Sequence, residues 1–283
     1  MARLAYVDGD YVSLYEPSIF VEDRGYQFSD GIYEVFALRN GSLCDEALHL
    51  DRLERSLHEM KMVAPVSRQV LQHIIRETIR KNRVHDGIVY MQITRGVARR
   101  DHVIAPNLRP VLVVTVRPSS PDARARVRKK GVRVKTIPDQ RWARCDIKSI
   151  SLLPNTLAKN AARDMGADDA WLVDAKGKVT EAASANAWIV DAKGNLRTRA
   201  AGHDILNGIT RRVIFDMADS LSLKIVEKAF SVAEAQAAKE CFSTASTLNI
   251  FPVVSIDGVK VGNGRPGKVS LAIAKAYDAI GSK

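Results

Sequence analysis

The sequence has few cysteines, few aromatic residues and no long apolar run. Its three cysteines, Cys44, Cys145 and Cys241, are an odd number at wide spacing, without a Cys-x-x-Cys pair or a partnering histidine pattern. That excludes a disulfide framework and a structural zinc site, and predicts reduced thiols in a cytoplasmic protein. No stretch approaches the ~18 consecutive apolar residues that a membrane span requires. Residues Met1 to Asp10 reach acidic side chains before any apolar run long enough for a signal peptide, and they lack the Arg- and Ser-rich character of a transit peptide, so no export is expected. His49, His58, His73, His85 and His203 form no His-Glu-x-x-His pattern and have no carboxylate at ligand spacing, so no metal is expected. The Gly-x-Ser-x-Gly elbow of serine hydrolases is missing as well: Ser184 stands in Glu181-Ala182-Ala183-Ser184-Ala185-Asn186.

What is present is 283 residues, 46% apolar and 27% charged, the composition of an ordinary soluble chain long enough for one large domain or two modest ones. The formal net charge of +11 favours anionic partners. Its densest part, Arg124 to Lys135, would suit phosphate contacts if aromatic or helical readout elements accompanied it. None do, and the stretch reads as a solvated loop followed by an amphipathic strand. Gly262-Asn263-Gly264-Arg265-Pro266-Gly267 satisfies Gly-x-Gly-x-x-Gly, but too few residues follow for a crossover helix and a second strand. Position 269 is Val269 rather than Ser or Thr, so a glycine-rich turn before the last helix is the expectation.

Leu50, Leu53, Leu57 and Met60 recur at helical spacing, and Val70, Leu71, Ile74, Ile75 and Ile79 repeat the pattern after Ser67. Strand-like runs cover Leu4 to Val7, Tyr33 to Leu38, Ile88 to Thr94 and Val111 to Val116. Pro118 and Pro121, set among serines, interrupt regular structure. The expected division is a smaller N-terminal α+β domain over 1–117, a linker over 118–122 and a larger C-terminal α+β domain over 123–283. In the second part, strands are expected over Val132 to Ile137 and Ala170 to Val173, with hairpin loops at Ala175-Lys178 and Asp191-Asn195. Helices are expected after an Asn155 cap and over Thr210 to Ala218, Val232 to Lys239 and Ser270 to Ile280. Without a regular strand-helix-strand rhythm, the architecture is α+β in two pieces.

Several segments fit one task if a phosphate-bearing aldehyde cofactor is supposed. Lys148 could form a Schiff base and carry a proton. Glu181 could hold a pyridine nitrogen protonated. Gly208-Ile209-Thr210-Arg211 opens a helix whose free N–H groups suit a phosphate, as do the hydroxyls of Ser243-Thr244-Ala245-Ser246-Thr247, and Arg52 could add a charge-assisted contact. Read alone, each of these is equally a surface charge, a cap or a turn.

Taken in order, Asp23-Arg24-Gly25-Tyr26-Gln27-Phe28-Ser29-Asp30-Gly31-Ile32-Tyr33-Glu34-Val35, His49-Leu50-Asp51-Arg52-Leu53, Arg144-Cys145-Asp146-Ile147-Lys148-Ser149 and Leu206-Asn207-Gly208-Ile209-Thr210-Arg211 resemble the successive motifs of the class IV, or fold type IV, pyridoxal-phosphate aminotransferases. The resemblance runs from about Tyr6 to the last helix. It implies a two-domain α+β subunit, pyridoxal 5′-phosphate at the domain interface, and a homodimer whose partner helps complete the active site. It implies that Lys148 bonds the cofactor and moves the proton, that Glu181 pairs with the pyridine nitrogen, and that Arg52, Ile209, Thr210 and Ser246 hold the phosphate beside Leu206, which packs on the ring. Thr94-Arg95-Gly96-Val97-Ala98-Arg99-Arg100-Asp101-His102 is similar to the loop of the D-amino-acid aminotransferases. By that likeness Tyr33, Arg100 and His102 grip a D-substrate's α-carboxylate, and three donors of these kinds can indeed share one carboxylate. One departure is that D-specific relatives carry a row of serines after the glutamate, where this chain has Ala182, Ala183, Ser184 and Ala185. Ser184 alone remains as a cofactor contact, which bears on substrate range more than on the reaction. The expected activity is transfer of an amino group between a D-amino acid of the D-alanine or D-glutamate type and a 2-oxo acid. Alternatives within the fold are a branched-chain L-amino-acid or (R)-amine transaminase or an aminodeoxychorismate lyase, all of which Arg100-x-His102 argues against. A basic nucleic-acid-binding protein is a remote alternative from another class.

Overall fold

The computed structural model describes residues 3–280 and divides into two compact units. The first runs up to Ser120 and also takes in Ile147–Ser151; the second comprises Pro121–Asp146 and the chain from Leu152 onward. The return of Ile147–Ser151 to the first unit was not foreseen, because a single strand-length piece leaves no signature of composition.

The first unit holds β1 (Leu4–Val7), β2 (Asp10–Ser13), α1 (Arg24–Phe28), β3 (Gly31–Arg39), β4 (Ser42–Leu43), α2 (Glu46–Glu59), α3 (Arg68–Asn82), β5 (Gly87–Thr94) and β6 (Val111–Pro118). Its six strands lie in the order β2-β1-β6-β5-β3-β4, and every pairing is antiparallel. Alternation along β5 buries Val89, Met91 and Ile93 and turns Tyr90 and Gln92 to the other face. The buried face packs on the apolar stripes of α2 (Leu50, Leu53, Leu57) and α3 (Leu71, Ile74, Ile75). Ser67, just ahead of the second apolar stripe, caps α3 by accepting from the Val70 N–H.

The second unit holds α4 (Pro121–Lys130), β7 (Val132–Pro138), α5 (Leu153–Asp164), β8 (Asp169–Val173), β9 (Val179–Ala182), β10 (Asn186–Val190), β11 (Leu196–Thr198), α6 (Ile209–Met217), β12 (Ile225–Glu227), α7 (Val232–Gln236), β13 (Glu240–Ala245), β14 (Asn249–Ile256), β15 (Val259–Lys260) and α8 (Lys268–Ile280). The main path of its mixed sheet is β12-β11-β10-β13-β14-β7-β8-β9, with β15 on β14. β7 runs parallel to both β8 and β14, while β8-β9, β10-β11 and β13-β14 are antiparallel. Trp171 and Trp188 are wholly buried, and their indole N–H groups donate to Ser243 Oγ (3.0 Å) and Thr244 Oγ1 (3.1 Å).

Two local expectations are corrected. The basic stretch expected as a loop is the helix α4, which begins at Pro121: proline's fixed φ and missing N–H are tolerated in a first turn, and no residue of the helix is buried, so no periodicity announces it. Asn155 is not a cap. α5 starts at Leu153, and Asn155 instead donates its amide to Ala183 O at 2.8 Å. The glycine-rich turn does precede α8, whose first N–H groups, at Val269 and Ser270, donate to the Glu240 carboxylate (2.9 Å each). A carboxylate already occupies the place a nucleotide phosphate would need. Among the described residues no helix is long and apolar enough to cross a membrane.

Candidate active site

In the first unit, Ile147–Ser151 lies along the edge of β3. Tyr33 N donates to Lys148 O (3.0 Å) and Ile150 N to Gly31 O (3.1 Å), while Ile147 is buried in the core. Gly31 makes this approach possible, since a Cβ there would stand 2.7 Å from Ile93 O and 3.0 Å from Ile150 Cδ1. The Lys148 amine is thereby held 4.1 Å from the centre of the Tyr33 ring, which stacks on Tyr90. Among the described residues no carboxylate pairs with that amine. Burial, followed by the neighbouring Tyr33, pushes the Tyr90 hydroxyl up to about 12, so it stays protonated and donates to Gln92.

One residue along β3, Glu34 faces the other way, toward α2, and is fully buried. Arg52 donates to it through Nε (2.7 Å) and NH2 (2.8 Å), and His49 Nδ1 lies 2.7 Å from the same carboxylate. Burial opposes the Glu34 charge, but the Arg52 cation and these hydrogen bonds outweigh it and hold the carboxyl at about 2. Burial pushes His49 down despite Glu34, with help from the positive charges of Arg52 and Lys148. Arg52 therefore reaches its position bound to Glu34, a partner that sequence reasoning missed.

Glu181 is the next-to-last residue of β9 in the second unit. Its carboxylate accepts from Arg141, from Asn186 Nδ2 (3.0 Å) and, at longer range, from the Leu206 N–H (3.3 Å). Arg141 is itself gripped by Asp139 through Nε (2.9 Å) and NH2 (2.7 Å). Burial disfavours the Arg141 charge, yet the bonds to Asp139 and the charge of Glu181 raise its pKa overall. Ser184 is exposed at the bend that follows, and Leu206 is half-buried just before α6. Ile209 and Thr210 form the first turn of α6, whose N-cap, Gly208, offers no side chain to the helix. Thr210 Oγ1 is buried without a hydrogen-bond partner. Of the expected hydroxyl run, Ser243 and Thr244, on β13, accept from Trp171 of β8 and Trp188 of β10. Ser246 and Thr247 lie in the turn before β14.

Arg100 and His102 sit on an exposed loop and converge on Phe28, at 4.8 Å and 5.5 Å from its ring centre. The structure thus places Tyr33 in the cluster around Lys148, and Arg100 and His102 in a cluster around Phe28. The same two stretches of chain carry exposed apolar side chains: Phe20, Val21 and Tyr26 near Phe28, and Val103 and Ile104 just after His102. Asp23 pairs with Val97 as an isolated bridge, so both stretches share one face.

The family model for class IV aminotransferases matches residues 31–256, a range that includes Tyr33, Arg52, Arg100, His102, Lys148, Glu181, Thr210 and Ser246. The chain belongs to the class IV aminotransferases. Among its relatives in this family, a protein named D-alanine aminotransferase from Listeria monocytogenes is 38% identical over 274 residues, with 96% of this chain and 93% of the relative covered. A D-alanine aminotransferase from Bacillus licheniformis is 36% identical, with 92% and 91% covered. Among solved structures, a branched-chain amino acid aminotransferase from Escherichia coli matches with a TM-score of 0.90 at 22% identity, covering 99% of this chain and 95% of that one. At that identity it shows the fold alone, which is α+β; that the chain is an enzyme of the aminotransferase type rests on the family and on these relatives. The motifs did not single out Glu34 and His49, the neighbours of Arg52 in the first unit, or Arg141 and Asn186, the neighbours of Glu181 in the second. The only sequence signal for Asn186 was its place just beyond a short bend after Glu181.

Proposed function

We propose that this enzyme moves an amino group between a D-amino acid, of the D-alanine or D-glutamate type, and a 2-oxo acid, with pyridoxal 5′-phosphate as cofactor. The observation that carries the reading is the Lys148 amine, fixed over Tyr33 by backbone hydrogen bonds to the β3 edge and without a carboxylate partner among the described residues. The D-substrate is supported by the names of the relatives and by Arg100-x-His102. The second unit suits the cofactor: α6 begins without a capping side chain and buries an unpartnered hydroxyl at Thr210, which is what a phosphate oxygen would satisfy.

When bound, pyridoxal phosphate supplies a carbonyl that captures the substrate's amine and a ring that takes up the electron pair left as the Cα proton departs. Lys148 Nζ is the atom that bonds the cofactor at rest and, once released, takes and returns that proton. Glu181 keeps the pyridine nitrogen protonated. Ile209 and Thr210 at the start of α6, the Ser246 hydroxyl and Arg52 hold the phosphate, Leu206 covers the ring, and Ser184 contributes a further polar contact. Tyr33, Arg100 and His102 grip the substrate carboxylate and thereby fix which face presents its hydrogen. The working form is a cytoplasmic homodimer in which Arg100 and His102 act on the neighbouring subunit's substrate. The exposed apolar side chains beside that loop support this, since such patches mark association surfaces.

The test is the visible absorption of the purified enzyme loaded with pyridoxal phosphate. Bleaching by D-alanine and not by L-leucine is expected; bleaching by L-leucine alone would move the chain to the branched-chain group. Lys148→Ala is expected to lower transamination by on the order of a thousand-fold or more. Substantial turnover by that variant without added amine would overturn the assignment.

A further inference from the structure

Asn186 opens β10, opposite Thr244 of β13, and is 3% exposed. Its amide nitrogen donates to two acceptors on different segments, Glu181 Oε2 at 3.0 Å and Leu206 O at 2.8 Å. The Leu206 N–H in turn points at the Glu181 carboxylate, 3.3 Å from Oε2 and 3.4 Å from Oε1. Glu181, Asn186 and Leu206 thus close a ring of hydrogen bonds. The amide orientation follows from chemistry: a carboxylate and a carbonyl both accept, and only the NH2 end of an asparagine can serve two acceptors. Turned over, Oδ1 would face both of them, so neither bond can be released without disturbing the other. The oxygen end lies against Gly208, where an added Cβ would stand 2.2 Å from Oδ1. With φ at −63° the Gly208 backbone is ordinary, so the demand for glycine here is one of space. The Leu206–Gly208 backbone passes directly into the first turn of α6.

We propose that Asn186 is a positioning residue that fastens the Glu181 carboxylate to the Leu206–Gly208 turn, so that one side-chain amide sets both the partner of the pyridine nitrogen and the phosphate-holding start of α6. The inference rests on the roles given to Glu181 and α6 above. It adds a coupling between them: loss of the amide loosens both ends together, although Asn186 belongs to neither. Arg141 does not substitute for it, because its remaining bonds run to Asp139, to Thr180 and to the Asp204 carbonyl rather than to the turn.

The experiment uses the full chain freed of cofactor and two probes, pyridoxal, which lacks the phosphate, and inorganic phosphate, each followed by calorimetric titration. Asn186→Ala is expected to weaken both by about ten-fold, the effect of losing a hydrogen bond to a charged group. Unchanged phosphate affinity would overturn the coupling. Should Asn186→Ala fail to fold, Asn186→Asp retains the shape, and its carboxyl can donate one hydrogen bond when protonated and none when ionised. The ratio of variant to native affinity is then expected to fall, for both probes, as pH rises through the new carboxyl's titration; a ratio independent of pH would overturn the proposal. Glu181→Gln separates the two readings. If it leaves pyridoxal affinity and the spectrum of bound pyridoxal at native values, the role given to Glu181 fails, and the coupling with it. If it alters pyridoxal binding while Asn186→Ala leaves phosphate untouched, Glu181 keeps its role and only the coupling is lost.

Discussion

Glu34 and Glu181 are both buried glutamates on strands, and each accepts hydrogen bonds from an arginine. Their partners come from different kinds of structure. His49 and Arg52, one helical turn apart on α2, close on Glu34 from a single helix that is seated by its own leucines. Glu181 is met by Arg141 from the segment after β7, Asn186 from the head of β10, and Leu206 from the turn before α6. The first arrangement is a brace between two rigid elements. In the second, separate pieces of chain converge on one carboxylate, and its aim depends on each of them. A carboxylate of the first kind secures a fold, while one of the second kind can be directed at a ligand.

The strongest way to break the comparison is Glu34→Ala. It removes the acceptor of both Arg52 bonds inside the first unit and is expected to cost about 3–5 kcal/mol of stability, read by denaturant unfolding. The native Glu34 carboxyl titrates at about 2 against an ordinary 4.5, so its stabilisation is complete above pH 4.5 and is lost as pH falls toward 2. The variant should lack that component of acid unfolding. Glu181→Gln should show the reverse pattern. Arg141 keeps its two bonds to Asp139, so unfolding should shift by only about 1 kcal/mol, while kcat falls roughly ten- to a hundred-fold with the charge-assisted bond to the cofactor. Equal losses of stability in the two variants would erase the distinction. The smallest effect sharpens it: Thr210→Val, in the cofactor-free protein, removes an unpartnered buried hydroxyl and should leave stability unchanged or raise it by about 1 kcal/mol while weakening phosphate binding.

The two arrangements were not equally legible in the sequence. The periodicity that marks α2 and α3 is the same apolar stripe that packs them, and the Ser67 cap is a local bond, so both could be read directly. The β5 alternation was equally plain. α4 escaped because it has no fully buried residue and only Val127 packs on the core, and the Asn155 cap was misplaced because that side chain is used across the unit, at Ala183. Of the residues proposed for the site, motif order pointed to Lys148, Arg52, Glu181 and the start of α6. It did not reveal that Arg52 is bound to Glu34, or that Arg141 and Asn186 hold Glu181. Those pairings depend on which strand face meets which loop, and no spacing within the chain encodes that. Arg100 and His102 were found by motif alone, and what they touch in this chain is Phe28.

The segment Ile147–Ser151 reaches the first unit late in synthesis. Chains leave the ribosome N-terminus first, at about 5–20 residues per second. When Ser120 has emerged, the β3 edge at Gly31–Tyr33 is still bare and the core still lacks Ile147. Two further elements, α4 and β7, must be synthesised before the missing piece arrives. The Lys148 amine and its tyrosine seat therefore meet only after translation has passed Ser151, and no shorter nascent chain can present the amine proposed to bond the cofactor.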